Sequence, residues 1–224
     1  MPTDIALRLK GVRDRIADAA RRSHRAPSSV RLVAVSKTFP IDAVRAAAAE
    51  GQIDFGENKV QEGASKIVEA GALPLRWHLI GHLQSNKARR AVQLFDMIQS
   101  VDSFELAERL ERISAEEGRD ALPILVQVDL ADEATKSGVS EAGLPPLLDL
   151  IRGCKHLSLE GLMVLPPYFD DPEATRPYFR RLREIRDRLV PGGELSMGMS
   201  HDFEVGIEEG ATIVRVGTAI FGER

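Results

Sequence analysis

Eight short apolar runs, at positions 31–36, 53–56, 77–81, 97–101, 124–129, 159–164, 194–197 and 213–216, recur along the chain with helical periodicity between them. Strands that alternate with helices pair in parallel through crossover connections, which makes the fold α/β. The first run, Leu32-Val33-Ala34-Val35, is continuously apolar, the pattern of a strand covered on both faces. Eight such units favour a closed (β/α)8 TIM barrel, with an open doubly wound sheet of irregular strand order as the alternative. In a closed barrel the first and eighth strands become neighbours.

An additional N-terminal helix precedes the barrel pattern, with Ile5, Leu9, Val12 and Ile16 on one face. Asp102 or Ser103 opens a helix over 104–117 that Gly118 stops, and Asp171-Pro172 opens an Arg-rich helix. That helix carries Phe179, Leu182, Ile185 and Leu189 as an apolar stripe suited to packing on the barrel. No glycine-serine or proline-rich linker interrupts the pattern, so residues 1–224 are expected to form one domain.

The net charge of −4 provides no broad basic field, so neither nucleic acid nor a membrane surface is an expected partner. The basic runs at 87–90 and 176–188 fall within helical patterns and read as solvated faces. Cys154 is alone, which excludes an intrachain disulfide, and no secretory leader or membrane-length apolar stretch is evident. The cytoplasm is the expected compartment.

Lys37 stands at the carboxyl end of the first strand. An ammonium there carries a desolvation cost unless it leaves the sheet for solvent, so a partner or a covalent task such as a Schiff base is expected. After the seventh strand, Met197-Gly198-Met199-Ser200 leads into a helix over 202–209, with Ser200 predicted as its N-cap and as an anion donor. Gly217 and Thr218 follow the eighth strand in a tight turn. Loops after the seventh and eighth strands of a barrel commonly hold phosphate. Arg215 interrupts the apolar eighth strand and is either paired within the barrel or aimed at a ligand. If the barrel closes, it lies beside Lys37, and an aldehyde-bearing aromatic phosphate would fit among these groups.

The strings Leu32-Val33-Ala34-Val35-Ser36-Lys37-Thr38, Phe55-Gly56-Glu57-Asn58, Trp77-His78-Leu79-Ile80-Gly81-His82-Leu83-Gln84-Ser85-Asn86-Lys87, Lys136-Ser137-Gly138 and Ser196-Met197-Gly198-Met199-Ser200 resemble the pyridoxal phosphate homeostasis protein family. The resemblance implies a fold-type III barrel similar to the barrel half of alanine racemase, holding pyridoxal 5′-phosphate through Lys37. It further implies that Ser200, Gly217 and Thr218 hold the phosphate, that Arg215 faces the pyridine nitrogen, and that Asn58, His82 and Met163 line the cofactor. Asp129 departs from the asparagine expected there, which bears only on a polar contact at the mouth of the fifth strand.

An arginine against the ring nitrogen cannot take up the proton that makes the ring a strong electron sink. Racemisation also needs a second acid/base group, which alanine racemase takes from a separate β domain that this chain is expected to lack. The expected function is therefore reversible cofactor binding and carriage, with cofactor-dependent apoenzymes as candidate acceptors and a monomer as the expected state. The rivals are a weak amino-acid racemase and an aldolase-like barrel that uses Lys37 on a sugar phosphate. His78 and His82 lack the helix and acid of a zinc-protease motif, so no metal is expected. Cys154 reads as a small hydrophobe, and Tyr168 and Tyr178 read as packing or capping residues.

Overall fold

A computed structural model describes residues 2–131 and 137–223. Helix α1 (Pro2–Arg22) precedes β1 (Arg31–Val35), α2 (Ile41–Ala49), β2 (Asp54–Glu57) and α3 (Val60–Ala70). Next come β3 (Arg76–Leu79), α4 (Ala88–Leu94), β4 (Met97–Val101), α5 (Phe104–Glu116) and β5 (Leu122–Asp129). A two-residue strand, β6 (Val139–Ser140), leads to α6 (Leu144–Arg152), β7 (Leu157–Val164) and α7 (Arg176–Leu189). The last elements are β8 (Glu194–Met199), α8 (Phe203–Glu208), β9 (Ile213–Val216) and α9 (Thr218–Phe221). Lys136, part of one recognised string, lies outside the described residues.

The strands follow the order β4-β3-β2-β1-β9-β8-β7-β5, and a further pairing of β4 with β5 closes the ring. Every pairing is parallel, so the closed barrel holds and the open sheet does not. The short β6 is appended to β5 through Val128 and Val139, and at two residues it is too brief to carry a readable period. β5 and β7 begin two residues earlier than their apolar runs suggest, because Leu122 pairs with Leu157 and Pro123 with Ser158. Between Ile124 and Leu125 the register slips and leaves Glu160 as a bulged residue on β7.

Helix starts obey local chemistry. Ser103, rather than Asp102, caps α5 by accepting the Leu106 N–H at 3.2 Å. Asp171 caps a 3-10 turn, Pro172–Thr175, instead of the Arg-rich helix. α7 begins at Arg176 because Pro177 has no N–H to give an interior turn and fits only the first one.

The core has two layers. Between barrel and helices lies a large apolar layer that includes the α7 stripe of Phe179, Leu182 and Ile185 and the α1 stripe of Ile5, Leu9, Val12 and Ile16. α1 packs against α2, α8 and α9. Its Arg15 places a guanidinium 4.5 Å from the centre of the Phe203 ring on α8. Inside the barrel, Val33, Met97, Leu125, Met163 and Ile213 form a smaller cluster drawn from five strands. Among the described residues no helix is long and apolar enough to cross a membrane.

Phe179 is fully buried, and removing its ring leaves a cavity that the α7 backbone cannot close. Phe179→Ala is expected to cost about 3–5 kcal/mol in a urea unfolding titration, since the lost transfer energy and the cavity add.

Candidate functional site

The carboxyl ends of the strands open into a cavity of about 810 Å3. Side chains two apart on a strand share a face, so Val33, Val35 and Lys37 on and after β1 point inward together. Ile213 and Arg215 do the same on β9, and Gly217 follows the strand at the cavity wall. Val33 pairs with Arg215 across these strands, which brings the lysine end of β1 beside the arginine of β9. Asn58 and His82, from beyond β2 and β3, line the same cavity, as do Ser200, Gly217 and Thr218. Seven of the eight predicted residues therefore share one cavity wall, and the eighth, Met163, is fully buried in the cluster inside the barrel.

Lys37 is flanked by two residues that one buried cluster holds. The Lys66 ammonium donates to the Ser36 carbonyl at 2.6 Å, to Glu57 Oε1 at 2.7 Å and to Glu62 Oε1 at 2.8 Å. Ser36 Oγ donates to the same Glu57 oxygen at 2.6 Å, and the Thr38 N–H donates to Glu62. Thr38 adopts φ +68°, a left-handed conformation that a β-branched residue enters only when its surroundings insist. Here the bond to Glu62 supplies that insistence. Burial pushes the Glu57 carboxyl up from its ordinary range, while the bonds from Lys66 and Ser36 oppose the shift. Its second oxygen is buried without a hydrogen-bond partner among the described residues.

Arg215 is buried at 2% exposure, and desolvation pushes its guanidinium down to about 10 against the attraction of Asp202. That value still leaves it charged at neutral pH. Its two terminal nitrogens donate to Ser196 Oγ at 2.5 Å and to the Val164 carbonyl at 2.8 Å. Of the two alternatives open in the sequence, the arginine takes both: it is held within the barrel and faces the cavity.

Ser200 corrects an expectation. It does not cap α8, which begins at Phe203 with Asp202 in the cap position. Gly198, at φ +92°, turns the end of β8 where its register with β9 shifts, and a Cβ there would meet Phe203 Cα at 2.8 Å. The Ser200 hydroxyl is thereby directed across to the next loop, where it accepts the Gly217 N–H at 3.1 Å and the Ala219 N–H at 3.4 Å. A Cβ on Gly217 would stand 3.1 Å from the Val35 carbonyl oxygen, so the glycine lets this loop close onto β1. With its oxygen accepting from the two amides, the Ser200 hydroxyl keeps its own proton to donate to an anionic oxygen in the cavity that Arg215 also lines.

At the opposite rim, His82 Nδ1 lies 3.2 Å from Asp102 Oδ2 and 3.0 Å from Ser137 Oγ. Both contacts use one ring nitrogen, so this is no nucleophile relay, which needs the two nitrogens separately. His78 is buried and meets Asp54, so each histidine has a carboxylate that the local sequence hides because it arrives from another strand or its end. Tyr168 stacks on His201 at the cavity rim with ring centres 5.5 Å apart, and Tyr178 packs on Phe169. Cys154 bonds the Leu150 carbonyl, and burial with Glu111 nearby pushes its thiol up to about 11, which leaves it unreactive.

Sequence reading missed Glu57, Glu62 and Lys66. Glu62 and Lys66 carry the four-residue spacing of an ordinary surface pair on a helix, and only the fold reveals their turn inward. Gln99 and Ser196 were also missed, as polar residues set singly in apolar strands.

The family described as alanine racemase, N-terminal domain, matches residues 8–224. The chain is 42% identical over 222 residues to a pyridoxal phosphate homeostasis protein of Aquifex aeolicus, covering 97% of each. It is 44% identical to one of Pseudomonas aeruginosa, covering 98% of this chain and 96% of that one. The solved structure of PipY from Synechococcus elongatus PCC7942 with PLP bound superposes with a TM-score of 0.86 at 43% identity, covering 97% of this chain and all of PipY. An alanine racemase of Clostridium difficile 630 shares the fold at 14% identity and a TM-score of 0.77 over 57% of its length.

The buried ammonium of Lys66 is the part of the cluster that the rest cannot replace. Lys66→Met strips the buried Glu57 carboxyl of its ion pair, and is expected to lower stability by about 3–5 kcal/mol in chemical denaturation.

Proposed function

We propose that this chain, which belongs to the pyridoxal phosphate homeostasis protein family, binds pyridoxal 5′-phosphate in the cavity at the strand ends and carries it without strong turnover. The observation that supports this most is the meeting, in one cavity, of a lysine, a buried guanidinium and converging amide and hydroxyl groups. When bound, the cofactor supplies an aldehyde that condenses reversibly with an amine and a ring that draws electrons from it. Lys37 offers the amine, with its backbone fixed by the contacts to Ser36 and Thr38. Ser200, Gly217 and Thr218 hold the phosphate, and Arg215 faces the pyridine nitrogen. A guanidinium only donates, so Arg215 gives that nitrogen no proton from a paired acid, and the carbanion chemistry of a strong electron sink is weakened. Asn58 and His82 would line the cofactor from the cavity wall, and Met163 would support the cavity from the cluster inside the barrel.

The same reading makes the whole chain one cofactor-binding unit that works as a monomer in the cytoplasm. Lys37 is partly exposed where it lines the cavity, which suits loading and release toward apoenzymes that use the cofactor.

Visible spectroscopy followed by borohydride reduction and peptide mass spectrometry tests the assignment. Wild type mixed with pyridoxal phosphate is expected to turn yellow and to retain the added mass on the peptide carrying Lys37, whereas Lys37→Ala gains neither. A colourless wild type without the adduct overturns the reading. Ser200→Ala is expected to weaken binding roughly tenfold or more in a fluorescence titration, because hydrogen bonds to charged groups contribute about 1.5–3 kcal/mol.

A further inference from the structure

A single line of hydrogen bonds crosses the barrel interior from the cavity to the opposite rim. Arg215 Nη1 donates to Ser196 Oγ at 2.5 Å, and Ser196 Oγ donates to Gln99 Oε1 at 2.6 Å. Gln99 Nε2 stands 3.0 Å from His78 Nδ1, and His78 Nε2 stands 2.9 Å from Asp54 Oδ1. Asp54 Oδ2 then accepts from Arg76 Nη2 at 2.8 Å, where the line reaches solvent. Strands β9, β8, β4, β3 and β2 contribute the five residues from Arg215 to Asp54, all of them buried, and Arg76 is a second residue from β3.

The two ends fix the direction of every bond between them. A guanidinium has no acceptor, so Ser196 must accept from Arg215 and pass its own proton to the Gln99 oxygen. The Gln99 amide nitrogen is then left facing Nδ1 and donates to it. His78 therefore carries its proton on Nε2, where the Asp54 carboxylate, an acceptor only, receives it. Reversing the Gln99 amide would set its nitrogen against the serine proton and its oxygen against a bare ring nitrogen. With a neutral imidazole on His78 the line has one satisfied arrangement, and buried polar chains of this kind cost most when they are partly satisfied.

Among the described residues, the other anchor of the Arg215 terminal nitrogens is the Val164 carbonyl. With that contact alone the guanidinium can swing about it. We propose that Gln99 and His78 are positioning residues for Arg215, and that the line anchored at Asp54 sets the orientation in which the guanidinium faces the cavity. The consequence for the ring of pyridoxal phosphate rests on the reading of the cavity given above, but the positioning of Arg215 does not.

The test combines 1H–15N NMR of the full chain without cofactor and visible absorption of the chain loaded with pyridoxal phosphate. Wild type is expected to show His78 protonated on Nε2 and separate Arg215 Nη resonances from hindered rotation, assigned by their loss in Arg215→Lys. In Gln99→Leu the separate resonances collapse to an averaged set, and the visible band of the loaded protein moves. Should Gln99→Leu fail to fold, Asp54→Leu at the far rim gives the same loss, and Asp54→Asn, which keeps an acceptor oxygen, restores the wild-type pattern. Unchanged Arg215 resonances with an unchanged band in the folded variants overturn the proposal. Collapse of the resonances in a protein that takes up no pyridoxal phosphate sustains the positioning line and overturns the assignment of the cavity instead.

Discussion

Parallel pairing of β1 with β9 is the contact on which the site depends. It joins the strand that begins the barrel to the strand that completes it, and its register sets Val33 against Arg215. Because inward positions repeat every second residue, that register alone sends Lys37, Arg215 and Gly217 into one space. A slip by one residue would turn the lysine outward toward the helices and bury a different set of side chains. The turn after β9 then passes close to the end of β1, where a Cβ on Gly217 would stand 3.1 Å from the Val35 carbonyl oxygen.

Charge inside this barrel is handled by over-determination. On one side of Lys37, a single ammonium satisfies a backbone carbonyl and two carboxylates and so freezes the residues before and after the lysine. On the other side, the guanidinium of Arg215 is held by two bonds beside the apolar cluster inside the barrel. Both devices remove water from charged groups, which costs several kcal/mol per ion unless geometry repays it. The repayment is orientation. The lysine itself sits on backbone that cannot drift, at the boundary between buried core and open cavity.

Much of the architecture was legible because parallel strands buried on both faces write themselves as apolar runs, and turns between them use recognisable caps. Seven of the predicted site residues met in one cavity for the same reason: strand ends in a closed barrel all face one way. The Ser200 hydroxyl was misread as a helix cap because sequence shows which groups can donate or accept but not where a bulge turns them. Glu57, Lys66 and Gln99 stayed hidden because their partners arrive from distant strands and helices, and no spacing records that. The short strand β6 escaped because pairing with β5, rather than its own composition, makes it a strand.

Helix α1 carries an apolar stripe whose partners include α8 and α9, elements made nearly two hundred residues later. During synthesis α1 can meet α2 early, but the rest of its stripe has nowhere to dock until the ribosome has delivered α8 and α9, and the ring cannot close before β9 is made. Folding of this barrel is therefore a late event in the life of the nascent chain, with a long interval in which α1 exposes hydrophobic surface to chaperones. A small molecule that needs both β1 and β9 can find its place only on a finished polypeptide.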